Sequence, residues 1–134
     1  MKTPILFWIT RILAAIIMVQ TLYFKFTAAP ESVFIFSTVG MEPWGRWLVG
    51  FLELVASVML FIPATIWLGS ILAIGLMAGA LGMHLTLLGI EVQGDGGQLF
   101  IYALIVLICT LYSFWKSRQT IPAGLQKFLP SFLK

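Results

Sequence analysis

The sequence predicts an all-α fold: a transmembrane four-helix bundle with a short interfacial helix between the first and second spans. Three observations predict it. The 134 residues are 60% hydrophobic and only 10% charged, with a mean hydropathy of +1.04. The apolar residues collect into four stretches long enough to be membrane helices, and the charges and tryptophans collect near their ends. Soluble domains average about 25% charged residues, and so short a chain cannot hide this much apolar surface in an aqueous core. Lipid must be its solvent. No internal repeat or composition shift divides the chain, so residues 1–134 read as one integral-membrane domain.

The first span is predicted over residues 5–29, after Pro4, a residue suited to a helix start. It does not read as a cleavable signal peptide, because the apolar run is too long, Arg11 interrupts it and no A-x-A site follows. Residues 30–43, PESVFIFSTVGMEP, are too short to cross about 30 Å of hydrocarbon. They begin with a proline and reach Gly40, a natural helix stop, so they read as an interfacial helix roofing the bundle. A plain connecting loop that buries Phe34 and Phe36 is the other reading. The second span covers residues 44–61 and stops before Pro63. The third covers 66–88 and the fourth 99–115. The connection around Pro63–Thr65 is short and uncharged, which makes the second and third spans a tight antiparallel hairpin. The tail, residues 116–134, mixes Phe and Leu with spaced lysines and reads as an amphipathic anchor on a cytoplasmic, anionic lipid surface.

Charge orients this bundle. Lys2 and Arg11 lie at one end of the chain, and Lys116, Arg118, Lys127 and Lys134 lie beyond the last span. With four spans both ends share a side, and the positive-inside rule makes that side the cytoplasm. Glu31, Glu42, Glu91 and Asp95 fall in the two opposite loops. The formal charge of +3 is small and its basic residues are dispersed, which argues against a nucleic-acid partner. Cys109 is the single cysteine, so an internal disulfide or a CxxC redox pair is excluded.

Lys25, Glu53 and His84 each stand inside an apolar stretch, at depths in the same half of the bilayer. An ionisable residue there costs roughly 2.5–3.5 kcal/mol on insertion scales, so it faces a protein interior and either pairs or works. Arg11, Ala14, Met18, Thr21 and Lys25 share one stripe of the first helix. Arg11 lies about 21 Å from Lys25, at the cytoplasmic interface, where it is expected to snorkel. Arg46, Gly50, Glu53 and Ser57 share a face of the second, and Gly50 leaves a gap that Arg46 could cross toward Glu53. At its depth Glu53 is either neutral or ionised beside a cation, and Lys25 and Arg46 are the candidates. A structural pin between two helices and a working site both fit that pair. The candidate pocket is therefore Lys25, Arg46, Glu53 and His84, supported by Thr21, Gly50 and Ser57. Gln20, Tyr23 and Tyr102 are within reach of the same network. Gly75, Gly79 and Gly82 give the third helix a small-residue surface for close packing, inside the bundle or in a homodimer. One histidine, one deep glutamate and one cysteine toward the opposite side make no zinc set.

The run GRWLVGFLELVASVMLFIPAT, preceded by TLYFKFTAAPESVFIFSTVG and followed by GLMAGALGMHL, resembles the DoxX family of small four-span membrane proteins. The likeness covers residues 5–115, and Lys25, Glu53–Leu54 and Met83–His84 are its most specific parts. It implies a four-helix bundle in a bacterial cytoplasmic membrane. It also implies an accessory subunit of a membrane redox system, linked to quinone and sulfur or to thiols through a partner subunit. Wider relatives, the vitamin K epoxide reductase-like proteins, need a cysteine pair that this chain lacks. No cofactor motif is built in, and quinone is the cofactor class the resemblance brings with it. Three functional readings follow: a redox-associated subunit, a non-catalytic binder of a lipid-like ligand or helper of membrane-protein assembly, and a small transporter. The last lacks the broken helices that many transporters use at their sites.

Overall fold

A computed structural model describes residues 4–134. Lys2, one of the basic residues behind the predicted orientation, lies outside them. The described chain is helical throughout its ordered elements. α1 (Ile5–Phe26), α2 (Pro30–Thr38) and α3 (Trp44–Met59) come first, followed by α4 (Ile66–Met83), α5 (Gln98–Ser117) and a short α6 (Ala123–Gln126). Three helical runs are long and apolar enough to cross a membrane: Ile5–Phe26, Pro63–Leu88 and Gln98–Thr120. α3 has 16 residues, and about 20 are needed. It falls short of the expected 44–61 because a 3₁₀ turn at Pro63–Thr65 follows and leaves residues 60–62 in the bend.

Local sequence explains where helices stop. After α1, Ala28 takes a left-handed conformation (φ 53°) and the Ala29 N–H returns to the Phe24 carbonyl at 3.0 Å, a closing turn of the Schellman kind. Pro30 then starts α2. Gly40 (φ 77°) stops it in the same way, with the Met41 N–H bonded to the Phe36 carbonyl at 2.8 Å. The expected helix within residues 30–43 is present over Pro30–Thr38, five residues shorter than that window. Beyond Met83, a π-helical turn, His84–Leu88, ends at Gly89 (φ 79°). π turns concentrate at functional sites.

α1 packs against α3 and α5, and α4 packs against α3 and α5, which closes a ring of four helices. α2 lies across one end, touching α1, α3 and the π turn. Ala14, Met18, Ala56, Leu60, Ala73 and Val106 form the centre. Small side chains there let the backbones approach, since lipid supplies no hydrophobic push between helices. At the opposite end Gly69 is tightest: a Cβ there would stand 2.8 Å from Met59 Cβ and 3.0 Å from the Ala56 carbonyl oxygen. Several buried hydroxyls bond back to carbonyls of their own helix, as in Thr110 to Val106 (2.7 Å), Ser113 to Cys109 (2.9 Å) and Ser117 to Ser113 (2.7 Å), while Ser70 Oγ is buried with no partner among the described residues. Such back-bonding satisfies polar groups which lipid would leave bare. The outer faces are apolar: Ile16, Phe51, Val58, Leu85 and Ile108 are all more than half exposed, as a lipid-facing surface requires.

The stripe on α1 is confirmed, but Arg11 does not snorkel. It is 3% exposed, donating from Nε to the Phe7 carbonyl at 3.0 Å and across to the Leu60 carbonyl at 3.0 Å. Leu60 caps α3, whose last carbonyls have no helical partner. A guanidinium with several donors finds those oxygens more readily than water through the side chains of Phe7 and Trp8, each 4.2 Å away. In the tail, Ile121 is buried while Leu125, Phe128 and Phe132 are exposed.

Candidate functional site

A cavity of about 460 Å³ occupies the α2 end of the helix ring, with walls from α1 to α5 and the π turn. Most of its wall is apolar: Ile17, Met18, Phe24, Ile35, Phe36, Leu76, Met77 and Val106 among others. Lys25, Glu53, Thr21 and His84 also face it, together with Gln20, Glu31, Gln98 and Tyr102. One turn of α2 contributes Glu31, Ser32, Ile35 and Phe36. Spacings of three and four residues put these on one helical face, and that face closes the end of the cavity.

Lys25 and Glu53 are an ion pair, Nζ to Oε2 at 2.9 Å, with side chains 14% and 5% exposed. Nζ also donates to the Thr21 hydroxyl at 3.1 Å, which lies 2.8 Å from the Met18 carbonyl and 3.4 Å from Glu53 Oε2. The periodicity of α1 puts Thr21 one turn before Lys25, so the hydroxyl fills the space between the two charges. Arg46 does not share this pair. Its guanidinium donates from Nε to both oxygens of Glu42, at 2.9 and 3.0 Å, and reaches the Lys25 carbonyl. It ties the start of α3 to the end of α1, where carbonyls lack helical partners. The expected gap at Gly50 is filled from α1: a Cβ there would lie 2.9 Å from the Phe26 ring. Ser57 bonds the Glu53 carbonyl at 2.8 Å, inside its own helix. Arg46, Gly50 and Ser57 therefore hold the frame and do not line the cavity.

His84 is 5% exposed. Its Nδ1 stands 2.8 Å from the Gly89 carbonyl, and its ring meets Phe100 edge-on with centroids 5.7 Å apart. A carbonyl only accepts, so Nδ1 carries the proton, and in the neutral ring Nε2 is an acceptor. Nε2 makes no hydrogen bond among the described residues. The π turn and the left-handed Gly89 bring that carbonyl back over the ring.

Gly75, Gly79 and Gly82 do not pack a neighbouring helix. All three are exposed, and a Cβ at any of them would meet nothing within 4 Å. Gly75 and Gly79 instead lie on the cavity wall. Helical period identifies their shared face, but the direction of the neighbouring helix decides whether that face is covered. Of the aromatic and amide residues within reach, Gln20 and Tyr102 line the cavity, and Tyr102 accepts from Gln98 at 2.7 Å. Tyr23 is 68% exposed and faces away.

Two acidic residues read from the sequence only as loop charges belong to this end. Glu31 lines the cavity, and its Oε1 is buried with no hydrogen-bond partner among the described residues. Burial pushes its carboxyl up from the ordinary range, and the charge of Asp95 adds to that. Asp95 is held below the ordinary range. Burial alone would raise it, but N–H donors from Val92, Gly97 and Leu99, at 3.0, 2.8 and 3.2 Å, outweigh that, and a positive charge on His84, whenever its ring is protonated, acts in the same direction. The i, i+4 pair Glu31–Ile35 on a predicted roof helix was the available signal for Glu31; nothing in the sequence marked Asp95 as the clasp of the loop before α5.

Comparison with family models, with curated proteins and with solved structures finds no match. The reading of function therefore stands on the cavity and its side chains.

Proposed function

We propose that this chain is a four-span protein of a bacterial inner membrane, with α3 as the fourth span and both termini in the cytoplasm. α2 would lie in the outer interface, and the cavity in the outer half of the bilayer. The apolar outer face of α3 supports its role as a span: Trp47, Phe51 and Val58 are each more than half exposed, although α3 itself is packed between α1 and α4. In this reading the protein is a DoxX-like accessory subunit of a membrane redox system, linked to quinone and sulfur or to thiols, and its cavity receives a quinone-class molecule. One observation carries the reading. An apolar chamber of about 460 Å³ ends in an ion pair and a histidine, which suits a molecule with a polar head and a greasy body. Lys25, Glu53 and His84 are the groups that would hold the head or handle its protons.

Quinone extraction from the purified protein tests it. Quinone per protein should exceed what co-purified bulk lipid carries; a ratio equal to the lipid's refutes quinone binding. The second reading, a non-catalytic binder of a lipid-like ligand or an assembly helper, draws on the closed Lys25–Glu53–Thr21 set, in which the charges already satisfy each other. A retained lipid in place of quinone would favour it. For orientation, a cysteine at Gln93 in a Cys109→Ser background should label from outside the cell. Labelling from the cytoplasm alone would invert the topology.

A further inference from the structure

The Gly69 stripe of α4 shows two helices parting. Gly69, Leu76 and Met83 are spaced by seven residues and so lie on one line of the helix. At Gly69 that line touches Met59 and Ala56 of α3, while Leu76 and Met83 face the cavity. α3 tells the same story. Ala56 and Leu60 meet Gly69, and Glu53 and Val49, on the same face and further from the hairpin, line the cavity. On α4, Gly75 and Gly79 line the cavity and are also exposed, with open space where a side chain would be. The end of the chamber is covered by α2.

We infer that the cavity is entered sideways from the membrane, between α3 and α4 past Gly75 and Gly79, by a lipid-soluble molecule whose head hydroxyl donates a hydrogen bond to His84 Nε2. The inference rests on the reading of the cavity as a site for an amphiphile and adds its route and the chemistry of its head. His84 is a second observation, independent of the glycines. It is buried, it faces the chamber, and in the neutral ring its Gly89 bond leaves Nε2 with a lone pair and no donor among the described residues. A hydroxyl can satisfy that lone pair; a carbonyl or an ether cannot. A quinol is one source of such a hydroxyl and a long-chain alcohol another.

His84 is the single histidine of the chain, so ¹⁵N imidazole spectra of the full-length protein in nanodiscs report one ring. Two probe pairs differ only in the donor: a decyl-tailed benzoquinol against its quinone, and dodecanol against its methyl ether. The donor member of a pair should move the Nε2 signal and bind roughly tenfold more tightly, the size of one unshared hydrogen bond. His84→Phe should abolish that preference. If neither donor moves the signal, or the partners lacking a donor bind equally well, the hydroxyl assignment is overturned. Movement with dodecanol but not with quinol keeps it and removes the quinone-class reading above. For the route, Gly75→Leu with Gly79→Leu should slow probe association about tenfold without lowering the melting temperature. Unaltered association in that folded variant overturns sideways entry.

Discussion

The two ends of the helix ring are built from similar residues and do opposite things. At the hairpin end, Gly69 brings α3 and α4 into backbone contact, and Arg11 spends its donors on carbonyls. At the α2 end, Gly75 and Gly79 touch nothing, and Lys25 spends its donors on a carboxylate beside a chamber. Arg11 and Lys25 even share one stripe of α1. The contrast teaches that a glycine or a cation within a membrane helix has no fixed meaning. Where helices converge it packs or caps; where they splay it lines a space. At the closed end Arg11 is consumed by structure, although Ser70 Oγ there is buried with no partner among the described residues. At the open end the Lys25–Glu53 pair is satisfied, but Glu31 Oε1 and His84 Nε2 have no hydrogen-bond partner among the described residues.

The sharpest way to break this contrast is to remove one charge from the open end. Lys25→Met leaves Glu53 buried without its cation, and losing one member of a buried pair costs about 3–5 kcal/mol. Arg46 offers no relief, because it is bound to Glu42 and to the Lys25 carbonyl. Adding Glu53→Leu should restore most of the loss, since an apolar replacement of the whole pair is often neutral. Thermal unfolding of both variants in detergent measures this. If the pair belongs to the site, the restored double variant retains no ligand; a double variant that still binds would make the pair a helix pin like Arg11.

A smaller effect separates the glycines. Gly69→Ala drives a methyl against backbone atoms of α3 that no rotamer change can relieve, at a cost of about 1–3 kcal/mol. Gly79→Ala meets open space and gains helix propensity, so it should be neutral or stabilising by up to about 1 kcal/mol. Equal losses at both positions would show that the α4 rim is covered in the membrane, as a homodimer through this face would require.

The smallest effect is in the acid range. Asp95 has a lowered pKa, so its contribution is present above the ordinary carboxylate value, about 4, and is lost as pH falls through the lower folded value. Glu31 has the opposite sign. Its raised pKa favours the folded state below the ordinary value, and that advantage is lost as pH rises through the folded one. Asp95→Asn should therefore destabilise most at neutral pH and least in acid, while Glu31→Gln should help at neutral pH. Melting temperatures from pH 3 to 8 read both slopes, and parallel curves for the two variants would detach these residues from the roof of the cavity.

The amino-acid pattern alone was enough for several conclusions. Apolar windows located the helices, Pro4, Pro30 and Pro63 marked starts and bends, Gly40 marked a stop, and the depth of Lys25, Glu53 and His84 located a polar region. Each of these is local, set by propensity or by the position of a residue along its own helix. Only the tertiary structure decided that Glu53 takes Lys25 and not Arg46, that Phe26 fills the space at Gly50, that Arg11 is buried, and that Gly75 and Gly79 border a chamber. The physical reason is common to all four. A period of 3.6 residues tells which side chains share a face, but the angle and separation of two helices determine what that face meets, and those arise from packing many side chains at once.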